Sequence, residues 1–423
     1  MKLYWFLAFT LAVSGSHHLL AQAIAVTPSQ VMLDEPASVV VTGAQPGAHL
    51  TIRAELTDGH GQLWTSTADF VADATGSVDA AKQAPIKGSY RVISAMGLVW
   101  SMLPGEKDIH VYQPPAKLAS QTIHFHLLLN GKEVSSKQLV QIPIRPGVKQ
   151  INIDGGLHGT LYVPEGDGPR PAVLVLGGSE GGTPISRAVW LASHGYVAFA
   201  LCYFGCEGTP QHLVNIPLEY FGSALAWLAQ RPEVAAGRIA VMGTSRGGEL
   251  ALQLGSIYPE IKTVVAYVPA NVRYPSCCDR MPQAAWTWQG RPLTWARPME
   301  NQASAASWEA AIRVENTQGP ILLIGGKSDN IWPSAEMVDA VAARLRAYHF
   351  RYHVVSLNYD HAGHRAGLPE IIPAWHNAAF RSNTGRMADY GGTPEGNAKS
   401  SLDAIPKVLD FLQTNLATAA PAN

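Results

Sequence analysis

Charge is scarce in this chain. Asp, Glu, Lys and Arg supply 15% of its 423 residues, against roughly 25% in an average soluble domain. Lys+Arg 31 and Asp+Glu 32 nearly cancel, and no block of one sign stands out, so the electrostatic footprint of a nucleic-acid partner is missing. Cysteine is scarce too, with Cys202, Cys206, Cys277 and Cys278 all in the second half. A CxxxC followed by an adjacent pair lacks the ligand spacing of a zinc site, which favours disulfides over metal and leaves the pairing open. No fixed-period repeat or low-complexity tract appears, which excludes solenoids and arrays. No run after the N-terminus reaches the roughly 20 apolar residues a membrane-spanning helix needs.

The N-terminus itself has an address. Met1-Lys2 is a short positive start, LYWFLAFTLAV is an apolar stretch too short to span, and Ala21-Gln22-Ala23 offers small residues at a cleavage site. A signal peptide over 1–23 is expected, with export to a periplasm or the outside and no membrane span after cleavage. An oxidising compartment would let the cysteines pair. The remaining length is too great for one ordinary core and implies two domains.

From 24 to 146 the apolar period is two. HLTIRAEL places Leu50, Ile52, Ala54 and Leu56 on one face, Asp58-Gly59 marks a turn, and LWTSTADF continues with Trp64, Ala68 and Phe70. TIHFHLLLNGKEV repeats the alternation and supplies Asn130-Gly131, a strong hairpin signal. Short strands with turns between them predict an all-β, immunoglobulin-like sandwich. His124 and His126 share a face of this sheet, but without a third ligand they read as ordinary strand residues.

From 147 to 423 the texture changes. An extended pair, INIDGGLHGTLYVPEG, precedes the buried-strand runs AVLVLGG, YVAFALCYF, RIAVMG, TVVAYVPA, PILLIGG and RYHVVSL, several separated by helix-like stretches such as SRAVWLASHG. That alternation predicts an α/β domain with a mostly parallel sheet and helices on both faces. Its ligand site belongs beyond the carboxyl ends of the strands.

Gly243-Thr244-Ser245-Arg246-Gly247 follows the strand RIAVM and precedes the helix-like GELALQLGSIYP. A GxSxG motif in that context is a nucleophile elbow, in which small neighbours allow a tight turn that thrusts the serine oxygen into the site mouth. A serine hydroxyl needs a base, and the base an orienting acid. In α/β-hydrolases both follow the serine, acid first. Asp329, after the strand PILLIGG, is the leading acid. Asp339 falls within a helical pattern, and Asp360 sits too near the histidines. His364, preceded by Ala362-Gly363, is the leading base; His361 is the alternative, and His353 reads as structural. Oxyanion donors are expected at the backbone N–H of Arg246 and of Ser179 in the loop GGSEGG. That loop lacks the Lys-Ser/Thr ending of a phosphate-binding loop, so no nucleotide cofactor is expected, nor a metal. Glu180 in the same loop, with Trp286 and Trp288 in an aromatic stretch that also holds Trp295, are candidate substrate contacts. This stretch reads equally as a lid or acyl-binding wall and as a packed surface excursion.

The combination GGSEGG, ALCYFG, IPLEYFGSALAWL, GTSRGGELAL, VVAYVP, GGKSDNIWPS and AGH resembles the acyl-CoA thioester hydrolase/bile acid-CoA:amino acid N-acyltransferase family, with a looser match at GLVWSMLPG in the first half. The resemblance spans nearly the whole chain after the leader. It implies a β-sandwich before an α/β-hydrolase, with nucleophile, acid and base on Ser245, Asp329 and His364. It also implies a small-molecule acyl thioester or ester as substrate, cleaved through an acyl-serine. Family members that transfer acyl groups to glycine or taurine carry cysteine as nucleophile, so the serine here points to hydrolysis. An exported chain would meet little CoA, which keeps an oxygen ester open as the substrate.

Overall fold

The computed structural model describes residues 22–416 except 107–110, 278–281, 298–304, 376–378 and 382–385. Most of the expected signal peptide, and Cys278, lie outside the described residues.

The first half is all β. Strands Ala23–Thr27, Ser38–Thr42 and Val78–Asp79 form one sheet. A larger sheet runs Gln30–Met32, Lys132–Ile142, Gln121–Leu129, His49–Thr57, Leu63–Val71, Lys87–Gly88, with Leu103–Pro104 also on Leu63–Val71. The period-two pattern is met residue by residue: Leu50, Ile52, Ala54 and Leu56 are buried while their neighbours are not. The two sheets share one core, to which Ile24 and Val41 contribute from one side and Trp64, Phe70 and Phe125 from the other. Asn130 (φ 51°) and Gly131 (φ 78°) make the hairpin turn between Gln121–Leu129 and Lys132–Ile142. His124 and His126 point outward, and His126 lies between Glu55 at 3.5 Å and Glu133 at 2.9 Å.

The second half is built on an eight-stranded sheet. Its strands are β1 (Lys149–Ile153), β2 (His158–Val163), β3 (Arg170–Leu176), β4 (Val197–Cys202), β5 (Val234–Thr244), β6 (Ile261–Tyr267), β7 (Ile321–Gly326) and β8 (Val354–Tyr359). They run in the order β1-β2-β4-β3-β5-β6-β7-β8. β2 is antiparallel to both neighbours, and all other pairs are parallel. Alternate residues of the strands inside the edge strand β1 enter two different cores, which is why these runs are largely apolar. Ala172, Leu174 and Leu176 of β3 face α2 (Leu218–Ala229), α3 (Arg246–Gly255) and α4 (Ser334–Ala347). Val173 and Val175 face the other way, toward α1 (Ile185–Ser193) and α5 (Pro394–Leu416).

That second core is continuous with the core of the sandwich. Polar contacts seal the junction. The Ile371 N–H donates to Leu33 O at 2.6 Å and the Ala374 N–H to Trp100 O at 3.0 Å. Gln141 Nε2 donates to Ile371 O at 3.0 Å. Asp34, in the first half, accepts Trp190 Nε1 at 2.9 Å and pairs with His194 Nε2 at 3.2 Å, both from α1 and its cap. Among the described residues no helix is long and apolar enough to cross a membrane. Cys202 and Cys206 form a disulfide at the end of β4, and Cys277 is also disulfide-bonded.

Candidate active site

Ser245 stands at the turn from β5 into α3 with φ 57° and ψ −120°. An L-residue held there is strained, and only tight surroundings keep it. The sequence supplies them by omission. A Cβ on Gly243 would lie 1.9 Å from Gly247 O, and one on Gly247 would lie 2.2 Å from Gly177 O. The glycines are therefore required for space, and their absent side chains let β5, α3 and the loop after β3 meet around the serine.

His364 comes from the loop after β8 and Asp329 from the loop after β7. His364 Nε2 lies 2.9 Å from Ser245 Oγ, and His364 Nδ1 lies 2.8 Å from Asp329 Oδ2. The Asp329 side chain is fully buried. Its other oxygen accepts the N–H of Ile331 at 2.9 Å and of Trp332 at 3.3 Å, which fixes the carboxylate in the plane the imidazole needs. With Nδ1–H donated to Asp329, the Nε2 lone pair faces the serine hydroxyl; the partners assign this tautomer. The structure thus brings together the three residues the sequence singled out. Asp339 instead accepts from Asn358 at 2.8 Å, and Asp360 pairs with Lys327 at 2.8 Å on the surface. His361 is exposed.

Ser179 lies in the loop after β3, which passes so close that a Cβ on the preceding Gly178 would be 3.3 Å from Ser245 Cβ. Tyr203 anchors the start of this loop by donating to Gly177 O at 2.7 Å. The Gly178 N–H is taken by Glu180 Oε1 at 3.0 Å, whereas the Ser179 N–H makes no hydrogen bond among the described residues. Arg246 is the first residue of α3, where a helix leaves its N–H groups unpaired. Glu180 is exposed beside the serine.

Contrary to the expectation from sequence, Trp286 and Trp288 are packing residues. Trp286 is 1% exposed and packs against Tyr203 and Phe221. Its indole N–H donates to Glu249 Oε1 at 2.7 Å. Trp288 lies edge-on to Tyr258, beyond the far end of α3, about 15 Å along the helix from the serine at 1.5 Å per residue. The aromatic stretch is tied down because Trp286–Trp288 pairs with Ile216–Pro217 and Arg291–Pro292 in a small sheet. It is a packed excursion at these positions.

Three aromatics and a buried ion pair near the site went unread in the sequence. Trp332 meets His364 edge-on at 5.3 Å, Tyr390 stacks on the other side at 5.9 Å, and Tyr274 stacks on Trp332. The backbone joins in, since the His364 N–H donates to Tyr390 O at 2.7 Å. Beneath the serine, Arg246 pairs with Glu249 at 3.0 Å, both side chains nearly or fully buried. Arg246 also donates to Pro275 O at 2.6 Å and Tyr274 O at 2.9 Å. Burial pushes the Glu249 carboxyl above its usual range, against the pull of Arg246 and of the N–H donors of Trp286 and Tyr274. Trp332 directly follows the acid loop and Glu249 lies one turn after the serine, so spacing held a signal for both; nothing near His364 in sequence announces Tyr390.

A strained serine, an imidazole and a buried carboxylate in hydrogen-bonded series at the carboxyl ends of a β1-β2-β4-β3-β5-β6-β7-β8 sheet define an α/β-hydrolase-fold protein with a Ser-His-Asp constellation. The acyl-CoA thioester hydrolase/BAAT N-terminal region matches residues 34–155, and the BAAT/acyl-CoA thioester hydrolase C-terminal region matches residues 216–418. The chain belongs to this family. Among its relatives, acyl-coenzyme A thioesterase 6 of Mus musculus is 28% identical over 410 residues, covering 92% of this chain and 95% of that protein. Acyl-coenzyme A thioesterase 1 of Mus musculus is 28% identical over 403 residues, covering 90% and 94%. A solved puromycin-hydrolyzing peptidase of Mycobacterium tuberculosis is 12% identical, with a TM-score of 0.46 over 93% of this chain and 67% of that one.

Proposed function

We propose that this protein is a serine hydrolase that cleaves acyl thioesters through an acyl-serine. The single observation that carries the reading is the Asp329–His364–Ser245 series, with both links under 3 Å. His364 Nε2 takes the hydroxyl proton as Ser245 Oγ attacks the acyl carbonyl. The N–H groups of Arg246 and Ser179 receive the developing oxyanion. The tetrahedral centre collapses, the thiol leaves with the proton held by His364, and the acyl group remains on Ser245. Water, deprotonated by His364, then releases the carboxylic acid and restores the hydroxyl. Asp329 keeps the imidazole oriented and stabilises its charged form throughout.

The acyl-CoA thioesterase relatives favour a thioester substrate. The leader-like N-terminus favours a second reading, an exported esterase acting on oxygen esters, because CoA is scarce outside cells; processing would then leave Ile24 as the first residue. A serine-directed fluorophosphonate should label the native protein and fail to label Ser245→Ala. Matched acyl-CoA and acyl-phenol substrates decide the leaving group, and glycine added to the assay would give an amide if the protein were a transferase. Absence of labelling in well-folded native protein would sink the hydrolase reading. Sequencing the N-terminus of protein recovered from outside the cytoplasm tests export: retention of Met1 in all of it contradicts cleavage.

A further inference from the structure

Between the two halves of the chain lies a cavity of about 570 Å³ that contains none of the catalytic trio. This is within the ordinary range for small-molecule sites, roughly 300–1,000 Å³. Its walls are mainly apolar, with Leu33, Pro114 and Leu118 from the first half and Val189, Trp190 and Leu368 from the second. Arg187, in the first turn of α1, also lines it. This side chain is half-buried, its Nε fully so, and its accessible part borders the cavity. Among the described residues its guanidinium makes no hydrogen bond or ion pair, and its Nε is buried without a partner. The Tyr267 ring lies below it at 5.7 Å. Desolvation pulls its pKa down, with Tyr267, Glu180 and Glu370 opposing from longer range and Arg365 adding to the fall.

A desolvated, unpaired charge is costly and rare, and an arginine cannot shed its proton to escape that cost. Neither acidic group of the cavity pairs with Arg187, although Asp34 Oδ1 is buried without a partner. Asp34 is held through Oδ2 by Trp190 and His194, and Glu370 accepts Arg365 at 2.9 Å. Of the buried lining atoms left without a partner, Asp34 Oδ1, Tyr162 OH and Arg187 Nε, the arginine is the one that calls for an anion, and it stands beside an apolar wall. A diphosphate needs several cations within reach, and the described lining offers only one more, the exposed Lys117. We infer that this cavity binds a long-chain alkyl carboxylate, its head on Arg187 and its chain along the walls shared by the two halves. This goes beyond the proposed reaction, which it meets only in that such an acid is what an acyl thioesterase would release.

Calorimetry on full-length processed Ser245→Ala protein tests this without depending on catalysis. Hexadecanoate should bind saturably at one site. Arg187→Gln should weaken that binding at least about tenfold, the scale of one charge-assisted contact. Arg187→Lys should retain binding in part, and Leu118→Trp, which narrows the cavity without touching the arginine, should also weaken it. Hexadecanol should bind more weakly and ignore Arg187→Gln. The ligand-free melting temperature of Arg187→Gln should not fall, since no partner is stranded. Unchanged hexadecanoate affinity in Arg187→Gln overturns the inference. So does inorganic phosphate binding as tightly as hexadecanoate, a fall in melting temperature that accounts for the loss, or loss of hexadecanoate binding when Ser245 of the native protein is capped by fluorophosphonate, which would place the acid in the catalytic pocket.

Discussion

Each residue of the trio depends on a neighbour that does no chemistry. Asp329 is held by the amides of Ile331 and Trp332, so Asp329→Asn should keep its place while favouring the wrong imidazole tautomer. A fall in kcat of about 10⁴ is expected with an unchanged melting temperature; a loss below tenfold would show that Asp329 does not orient the base. Glu249 is fully buried against Arg246. Its removal in Glu249→Ala strands the guanidinium and should cost about 3–5 kcal/mol in denaturant unfolding. Glu249→Gln, which still accepts from Trp286, should cost less. An equal loss in both would make the carboxylate's shape, and not its charge, the relevant property.

At the scale of elements, the catalytic loops are locked by close backbone approach. The sequence suggests that Gly363 frees the histidine loop to turn, yet this residue has no left-handed φ. What it supplies is room: a Cβ there would lie 2.2 Å from Gly391 O and 2.3 Å from Tyr390 O. Gly363→Ala should therefore displace the histidine loop from the Tyr390–Gly392 segment, lowering turnover at least about 100-fold, as misplacement of a catalytic group by about 1 Å does. Circular dichroism should report an intact sheet. Native activity would mean that the segment yields easily. The same contrast explains what could be read from the sequence. The strands of the large sheet were legible because burial on both faces leaves continuous apolar runs, and the sandwich strands because burial on one face leaves alternation. Ser245, Asp329 and His364 were legible because each closes or follows such a run. Tyr390 was not, since a backbone contact from a later segment puts it on the histidine. Trp286 was misread because an aromatic run has the same composition whether it covers a site or fills a core; its pairing with Ile216–Pro217 decides which, and that pairing is non-local.

At the scale of the whole molecule, the Asp34–His194 pair joins the halves. Burial disfavours the imidazolium, but the hydrogen bond and charge of Asp34 override it, assisted by the Trp190 carbonyl and opposed by Arg145, and His194 ends above its ordinary value. A group whose folded pKa is raised stabilises fully below its unfolded value, about 6.5. That stabilisation is lost as pH rises through the folded value. Melting temperature should thus decline from pH 6 toward pH 8 by more in the native protein than in His194→Gln. Parallel profiles would show that this pair does not couple protonation to the junction.

The continuous core also sets an order of events in the making of the protein. Leu33 and Trp100 belong to the half synthesised first, yet their carbonyls are satisfied by Ile371 and Ala374, and α5, ending at Leu416, closes the same apolar cluster. The early half therefore cannot reach its final state until α5 has been translated. Until then its share of the common core has no partner, and fragments cut between the halves should be sticky and short-lived.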